Sequence, residues 1–317
     1  EGKMNILFTS VGNLAFPTVR RCVKNHKIIG CDITKDAHGL YFCDKTYIVA
    51  KRSDKNYLKQ INKIIKKEKI NLIFPLSTED QDYYSTHKFS VPAICSDVSN
   101  VNDKRKLYET CKNIVRVPKD VIDAPFVIKP AKGKGAEGVH IVAYSANDIR
   151  EQDKQFYMNY MTYFNTGDKY KNHIKCEYIN GDEYSVDCLS YKGKFIYGVV
   201  RKRLQTWKGL AMVAQVVYMP TLLILSKKII KHLNLSYINN IQFKMKGEKP
   251  VLLEINPRIP GTLALSIAAG GDFINDAIKL AKGKKVVKKN IRYGLKIIRY
   301  YDGVIIDAKE KINDNTI

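Results

Sequence analysis

Residues 252–258 read Leu-Leu-Glu-Ile-Asn-Pro-Arg, and the polar residues within this apolar run are spaced two apart. A strand turns successive side chains to opposite faces, so Glu254 and Asn256 share one face. The preceding Ile241-Gln242-Phe243-Lys244-Met245 alternates in the same way, and Lys246-Gly247-Glu248-Lys249-Pro250 reads as the turn of a hairpin. Closing that hairpin brings Gln242 beside Glu254 and Asn256. The three offer only oxygen ligands and one negative charge. Such a set suits a hard cation such as Mg²⁺ that arrives on a polyphosphate, and does not suit an all-protein cage. Arg258 follows a proline and has a forked set of donors that fits a phosphate edge. The competing reading is a solvent-facing strand with incidental polar residues.

Upstream, Pro125-Phe126-Val127-Ile128-Lys129-Pro130 is a strand ending in a lysine. The next segment, residues 131–138, holds Gly133, Gly135 and Gly138, and Val139-His140-Ile141-Val142 returns as a strand. This is strand–loop–strand, unlike the strand–loop–helix of a Walker loop, and it lacks the G-K-[ST] ending. Glycines let backbone N–H groups close on phosphate oxygens, and Lys129 adds a point charge. An ordinary glycine hairpin with solvated lysines is the alternative. Residues 175–188 read as an edge, a turn and an alternating strand. A flat adenine can bond to extended backbone near Tyr178, and an acid past the turn can accept a ribose hydroxyl. A routine hairpin with surface acids fits equally. Tyr197 to Leu204 is a further strand with Arg201 and Arg203 on one face. They form either a clamp for phosphate or carboxylate or an exposed strand face.

The N-terminal part alternates strands and helices. Asn5–Ser10 and Lys27–Asp32 are strands around a helix from about Phe16 to Asn25. Thr46–Ala50 and Asn71–Pro75 are strands around a lysine-rich helix at about 54–69. This order predicts a parallel sheet with ligand loops at the strand carboxyl ends. Only Gly12 stands where G-x-G-x-x-G would be needed, which weighs against a dinucleotide site.

The 317 residues carry a formal net charge of +23, enough chain for two or three packed units. The charge fits nucleic acid, a polyanionic small substrate or a lysine-rich composition. No basic arm stands apart from folded-looking sequence, which weighs against nucleic acid. Seven cysteines without a C-x-x-C argue for reduced thiols in a cytoplasmic protein and against a disulfide scaffold or zinc site. No apolar run reaches membrane-span length, and no signal peptide precedes the first strand.

Taken in order, these features resemble the ATP-grasp superfamily, especially its carbamoyl-phosphate-synthase-like proteins and carboxylate–amine ligases. The resemblance runs from Thr9-Ser10-Val11-Gly12 and Asp32 through Asn102-Asp103-Lys104, the Lys129 strand and the glycine loop to the 177–187 segment and the 242–258 hairpin. It implies a mixed α/β and α+β chain, in which a Rossmann-like, parallel-sheet pre-ATP-grasp domain (1–98) precedes an ATP-grasp fold (99–290). A small nucleotide-clamping part lies at about 115–180, and an extension at 291–317 completes the ATP-grasp domain. The implied cofactors are ATP and Mg²⁺, with Mn²⁺ as a substitute. The implied partners are a small carboxylate and an amine, and a homodimer is compatible with the family. Carried over residue by residue, Lys104 and Lys129 contact ATP phosphates, and Gly133, Gly135 and Gly138 belong to the covering loop. Glu177, Tyr178 and Ile179 line the adenine, and Glu183 binds ribose. Gln242, Glu254 and Asn256 hold the metal, and Arg258 stabilises the transferred phosphoryl group. Arg201 and Arg203 are candidates for the acyl-phosphate side. Two departures stand out: Cys176 replaces the acid that reads the adenine amino group in many relatives, and Ala136 replaces a frequent serine. The chain matches one such unit and has no glutaminase segment, so carbamoyl phosphate synthesis by this chain alone is not expected.

Overall fold

A computed structural model describes residues 2–133, 136–300 and 302–306 of the chain. Four parallel strands open it: β1 (Asn5–Thr9), β2 (Lys27–Asp32), β3 (Lys45–Ile48) and β4 (Leu72–Pro75), in the order β3-β2-β1-β4. Helices α1 (Phe16–Cys22), α2 (Tyr57–Lys67) and α3 (Thr78–Thr86) connect or follow them. Ile6, Leu7 and Phe8 of β1 are all fully buried, which is why the strand reads as an unbroken apolar run rather than an alternation. α1 ends earlier than its periodicity predicts, because Val23 has left helical geometry. The strand order reverses between β1 and β4, and a crevice opens there, lined by Ser10, Asp32, Arg52 and Glu79 among others.

Asp103 caps α4 (Lys104–Cys111) by accepting from the Arg105 amide at 2.9 Å, so the Asn102-Asp103-Lys104 stretch opens a helix. A second sheet follows: β5 (Phe126–Pro130), β6 (His140–Ala143), β7 (Tyr157–Asn159) and β8 (His173–Glu177), ordered β7-β6-β5-β8, with the short helix α5 (Tyr160–Phe164) against its β6–β7 side. The third sheet contains β9 (Glu183–Tyr191), β10 (Lys194–Trp207), β11 (Leu210–Val216), β12 (Tyr237–Lys246), β13 (Lys249–Asn256) and β14 (Lys296–Ile298), ordered β13-β12-β9-β10-β11-β14. Helix α6 (Pro220–His232) covers one face through Leu222, Ile229 and Ile230. Helices α7 (Leu263–Ala268) and α8 (Phe273–Ala281) supply Leu263, Phe273 and Ile274 to a core shared with β1 and α1. The parallel sheet and the six-stranded sheet are thus joined through one apolar core. Ser96 reinforces the junction: its hydroxyl donates to the Ser236 carbonyl at 2.9 Å and accepts from the Ser236 amide at 2.6 Å.

One expectation is overturned. Residues 175–188 do not form a hairpin, because β8 pairs with β5 in the second sheet while β9 pairs with β10 and β12 in the third. The intervening residues cross between sheets. Gly181 lies so close to the Met245 carbonyl that a Cβ there would sit 1.7 Å from the oxygen, so the crossing is pinned to β12 by backbone contact.

Candidate functional site

A cleft runs between the second and third sheets, and the crossing segment forms part of its wall. Lys104, Lys129, Gly133, Glu177, Tyr178, Ile179, Glu183, Arg201, Arg203, Gln242, Glu254, Asn256 and Arg258 all line it. Two of the three expected loop glycines are missing from this set. Gly138 is not among the lining residues; it takes φ +67°, and a Cβ there would meet Pro130 Cγ at 3.0 Å, so it serves the turn. Gly135 lies outside the described residues. Ala136 lines the cleft at φ +59°, a left-handed conformation that alanine adopts at some cost.

The β12–β13 hairpin forms as expected, with Gln242 opposite Glu254. A register shift at Leu253 pairs Phe243 with Leu252 and leaves Leu253 as the extra residue of a bulge. Asn256 Nδ2 donates to Glu254 Oε1 at 2.9 Å, which leaves the Asn256 carbonyl and the second Glu254 oxygen for a cation. Lys104 Nζ lies 4.0 Å from that second oxygen. Gln242 differs from the expectation: its carbonyl accepts from Arg203 Nη1 at 3.2 Å and its amino group donates to Asn240 at 3.2 Å. Glu254 and Asn256 therefore fit a hard cation delivered on phosphate, whereas Gln242 presents its oxygen to a guanidinium.

Lys129 is buried and donates to the Tyr108 hydroxyl at 2.7 Å; that hydroxyl in turn donates to the Leu253 carbonyl at 2.8 Å. Tyr108 thus ties the lysine to the bulge next to Glu254. Burial works against the charge on Lys129, but its hydrogen-bonded pairing with Tyr108 and the Glu254 carboxylate outweigh it and hold the ammonium above the usual lysine range. Burial pushes Lys104 the other way, below the usual range, with Glu254 opposing. Arg258 is also pushed down by burial, opposed by Glu254 and Glu79, and it remains a cation. Its Nε donates to the Thr78 hydroxyl at 3.1 Å and its Nη1 to the Ile259 carbonyl at 3.0 Å, so it bridges to the first residue of α3.

Arg201 and Arg203 are both buried, neither forming an exposed strand face nor a free clamp. Arg201 grips Asp187 in a two-pronged pair, both contacts at 2.8 Å, and bonds the Thr262 hydroxyl. Arg203 pairs with Glu183 at 3.1 Å, so the residue expected to bind ribose already holds a guanidinium. Glu177 pairs with Lys246 and accepts from the Lys119 amide at 3.1 Å, and its own amide donates to the Lys119 carbonyl at 2.8 Å, so its side chain and amide are both engaged. Cys176 is buried, and burial keeps its thiol protonated, so a neutral group stands at that wall.

Sequence reasoning missed several lining residues. Lys244 shares a face with Gln242 by strand periodicity and was open to discovery on that ground; it pairs with Asp153 at 3.0 Å. Asp153 also accepts from the Tyr178 hydroxyl at 2.7 Å. Asp153 and Arg299 reach the cleft from a short 3₁₀ turn and from just past β14, and no local pattern marks them. Among the described residues no three His, Cys, Asp or Glu side chains cluster to hold a metal, and no helix is long and apolar enough to cross a membrane.

Residues 169–301 match the family described as ATP-grasp in the biosynthetic pathway with Ter operon, and residues 6–94 match the PylC-like, N-terminal domain. No curated protein matches the sequence. Solved structures share the fold at low identity. The biotin carboxylase domain of Hydrogenobacter thermophilus 2-oxoglutarate carboxylase, in complex with MgADP, ADP and bicarbonate, is 16% identical with a TM-score of 0.70, over 93% of this chain and 74% of that one. Biotin carboxylase from Campylobacter jejuni is 18% identical with a TM-score of 0.70, over 92% and 74%. N5-carboxyaminoimidazole synthetase from Staphylococcus aureus, complexed with ADP, is 15% identical with a TM-score of 0.70, over 91% and 80%.

Proposed function

We propose that the protein is an ATP- and Mg²⁺-dependent ligase that activates a small carboxylate as an acyl phosphate for attack by an amine or similar nucleophile. The observation that carries this reading is the electrostatics around Glu254. Glu254 is the one carboxylate that acts on all three of Lys104, Lys129 and Arg258, and the direct hydrogen bonds of the latter two go to hydroxyl and carbonyl groups. Such a site is short of negative charge, and a polyphosphate supplies it. The solved relatives that carry ADP in this fold support the same reading.

Phosphoryl transfer depends chiefly on positioning and charge neutralisation. A carboxylate oxygen of the substrate attacks the γ-phosphorus, and the bond from that phosphorus to the bridging oxygen breaks to release ADP. Lys129, fixed by Tyr108, stays charged against the phosphates, and Arg258 faces the charge that builds on the transferred group. Mg²⁺, or Mn²⁺ in its place, would sit on Glu254 and Asn256 and neutralise phosphate charge. The amine then attacks the acyl carbon and inorganic phosphate leaves. Arg201 acts on this site through position, since Asp187 and Thr262 occupy its donors. The small carboxylate and amine partners are expected in the cytoplasm, where the seven unpaired cysteines stay reduced.

Incubation with Mg-ATP and pooled amino acids and small carboxylates tests this. The expected result is phosphate release that depends on the pool, together with a new condensed mass. Bound nucleotide with no phosphate release above a Glu254→Ala background for any pool would instead make the protein a nucleotide-sensing module.

A further inference from the structure

Six side chains on three adjacent strands form one directional network at the cleft wall. A carboxylate only accepts, so Asp187 sets the direction. Its Oδ1 accepts from Arg201 Nη2 at 2.8 Å and from Asn240 Nδ2 at 2.7 Å. With its amino group turned to Asp187, Asn240 has only its carbonyl left, and this accepts from Gln242 Nε2 at 3.2 Å. Gln242 is thereby oriented too, and its carbonyl meets Arg203 Nη1 at 3.2 Å. The same Nη1 lies 3.1 Å from Glu183, and Nη2 donates to the Gly209 carbonyl at 2.6 Å. The Arg203 side chain is only 5% exposed, and its Nε is a buried donor with no acceptor.

Two consequences follow. The Gln242 oxygen already faces a guanidinium whose charge repels a cation, and turning the amide over would set its amino group against Arg203 and its oxygen against the Asn240 carbonyl. Arg203, in turn, is fixed at the cleft wall by Glu183, Gln242 and Gly209, and its guanidinium keeps a cation away from the Gln242 oxygen. Enzymes acting on polyphosphates use one or two divalent ions, and the number follows the ligand charge provided. Here the opposing hairpin strands provide one carboxylate.

We propose that the cleft holds a single divalent cation, on Glu254 and Asn256 alone, because the Arg203 guanidinium occupies the Gln242 oxygen that a second ion would use. This rests on the cleft being the Mg-nucleotide site. The full chain is titrated with Mn²⁺ in the presence of a saturating imidotriphosphate analogue of ATP, with free Mn²⁺ read by electron paramagnetic resonance and bound nucleotide measured in the same sample. One Mn²⁺ per bound nucleotide is expected. Glu254→Gln weakens Mn²⁺ binding at least about tenfold and Gln242→Ala by less than about threefold. Two Mn²⁺ per nucleotide in the unaltered chain, or a Gln242→Ala loss equal to that of Glu254→Gln, overturns the assignment while leaving the ATP reading intact. An unaltered chain that retains no nucleotide overturns the ATP reading itself, and this assignment with it.

Discussion

The crevice over the parallel sheet and the cleft between the two later sheets hold their charges differently. In the crevice, Arg52 is ion-paired with fully buried Asp80, and the two oxygens of Asp32 accept from the Gly12 and Ile33 amides at 2.8 and 2.7 Å. In the cleft, Lys129 rests on a phenol, and Arg258 on a hydroxyl and a carbonyl. Arg201, Arg203 and Lys244 of the cleft are paired with acids, but at Lys104, Lys129 and Arg258 burial opposes the charge, and it prevails at Lys104 and Arg258. A cation neutralised by the fold contributes to stability. A cation kept charged without an acid of its own is stabilised by whatever anion arrives. The difference marks the cleft as the place where an anionic ligand binds.

Substitutions that break this contrast should separate activity from stability. The largest expected effect is on turnover: Glu254→Ala should lower ATP-dependent phosphate release by about 10²–10³-fold or more, with circular dichroism unchanged, because Glu254 is the one acid of the hairpin site. Next comes a crossed pair. Lys129→Met should weaken Mg-ATP by about 10²-fold with little loss of stability, since it removes a buried charge along with its desolvation cost. Asp80→Asn should instead cost the fold roughly 2–4 kcal/mol in urea titration, because it strands Arg52 and the Thr9 hydroxyl, while Mg-ATP affinity is retained.

A pH profile sharpens the contrast further. Nucleotide binds the protonated form of Lys104, whose pKa burial has lowered. Affinity should be flat at lower pH and fall as pH rises through that lowered value, by up to about tenfold per pH unit. The decline should begin below the usual lysine range. In Lys104→Arg the guanidinium stays charged and the decline should vanish. The smallest effect is expected at Tyr108→Phe. Loss of the hydroxyl leaves the Lys129 ammonium and the Leu253 carbonyl without their partner, at about 1–3 kcal/mol of apoprotein stability. Bound Mg-ATP gives Lys129 a new acceptor, so the deficit in melting temperature should narrow with nucleotide.

Local sequence pattern carried the fold a long way. Apolar runs marked β1, β2 and β4, Asp103 marked the start of α4, and the Gln242–Asn256 hairpin followed from period-two alternation and a turn. What stayed hidden depends on pairing between distant strands. The Arg201–Asp187 grip joins residues on neighbouring antiparallel strands, and neither alternation nor spacing tells a buried pair from an open clamp. Whether residues 178–182 turn within one sheet or cross between two is set by which sheet claims β8, and that claim rests on β5, nearly fifty residues earlier. The link of Tyr108 to Lys129 and to the Leu253 bulge exists only once α4 meets β13. The Gln242 carbonyl has its direction from Asp187 through Asn240, a chain of hydrogen-bond polarity that a sequence does not display.

The central claim is that the cleft binds Mg-ATP through cations left without acids of their own. Thermal unfolding of the unaltered chain and of Lys129→Met, each with Mg-ATP and separately with NAD(H), tests it most directly. The account predicts a stabilisation of the unaltered chain that grows with Mg-ATP and reaches about 2.7 kcal/mol at a hundredfold excess over Kd, is largely lost in Lys129→Met, and is absent with NAD(H). Stabilisation by NAD(H) with none by Mg-ATP would contradict it and return the ligand to the crevice over the parallel sheet.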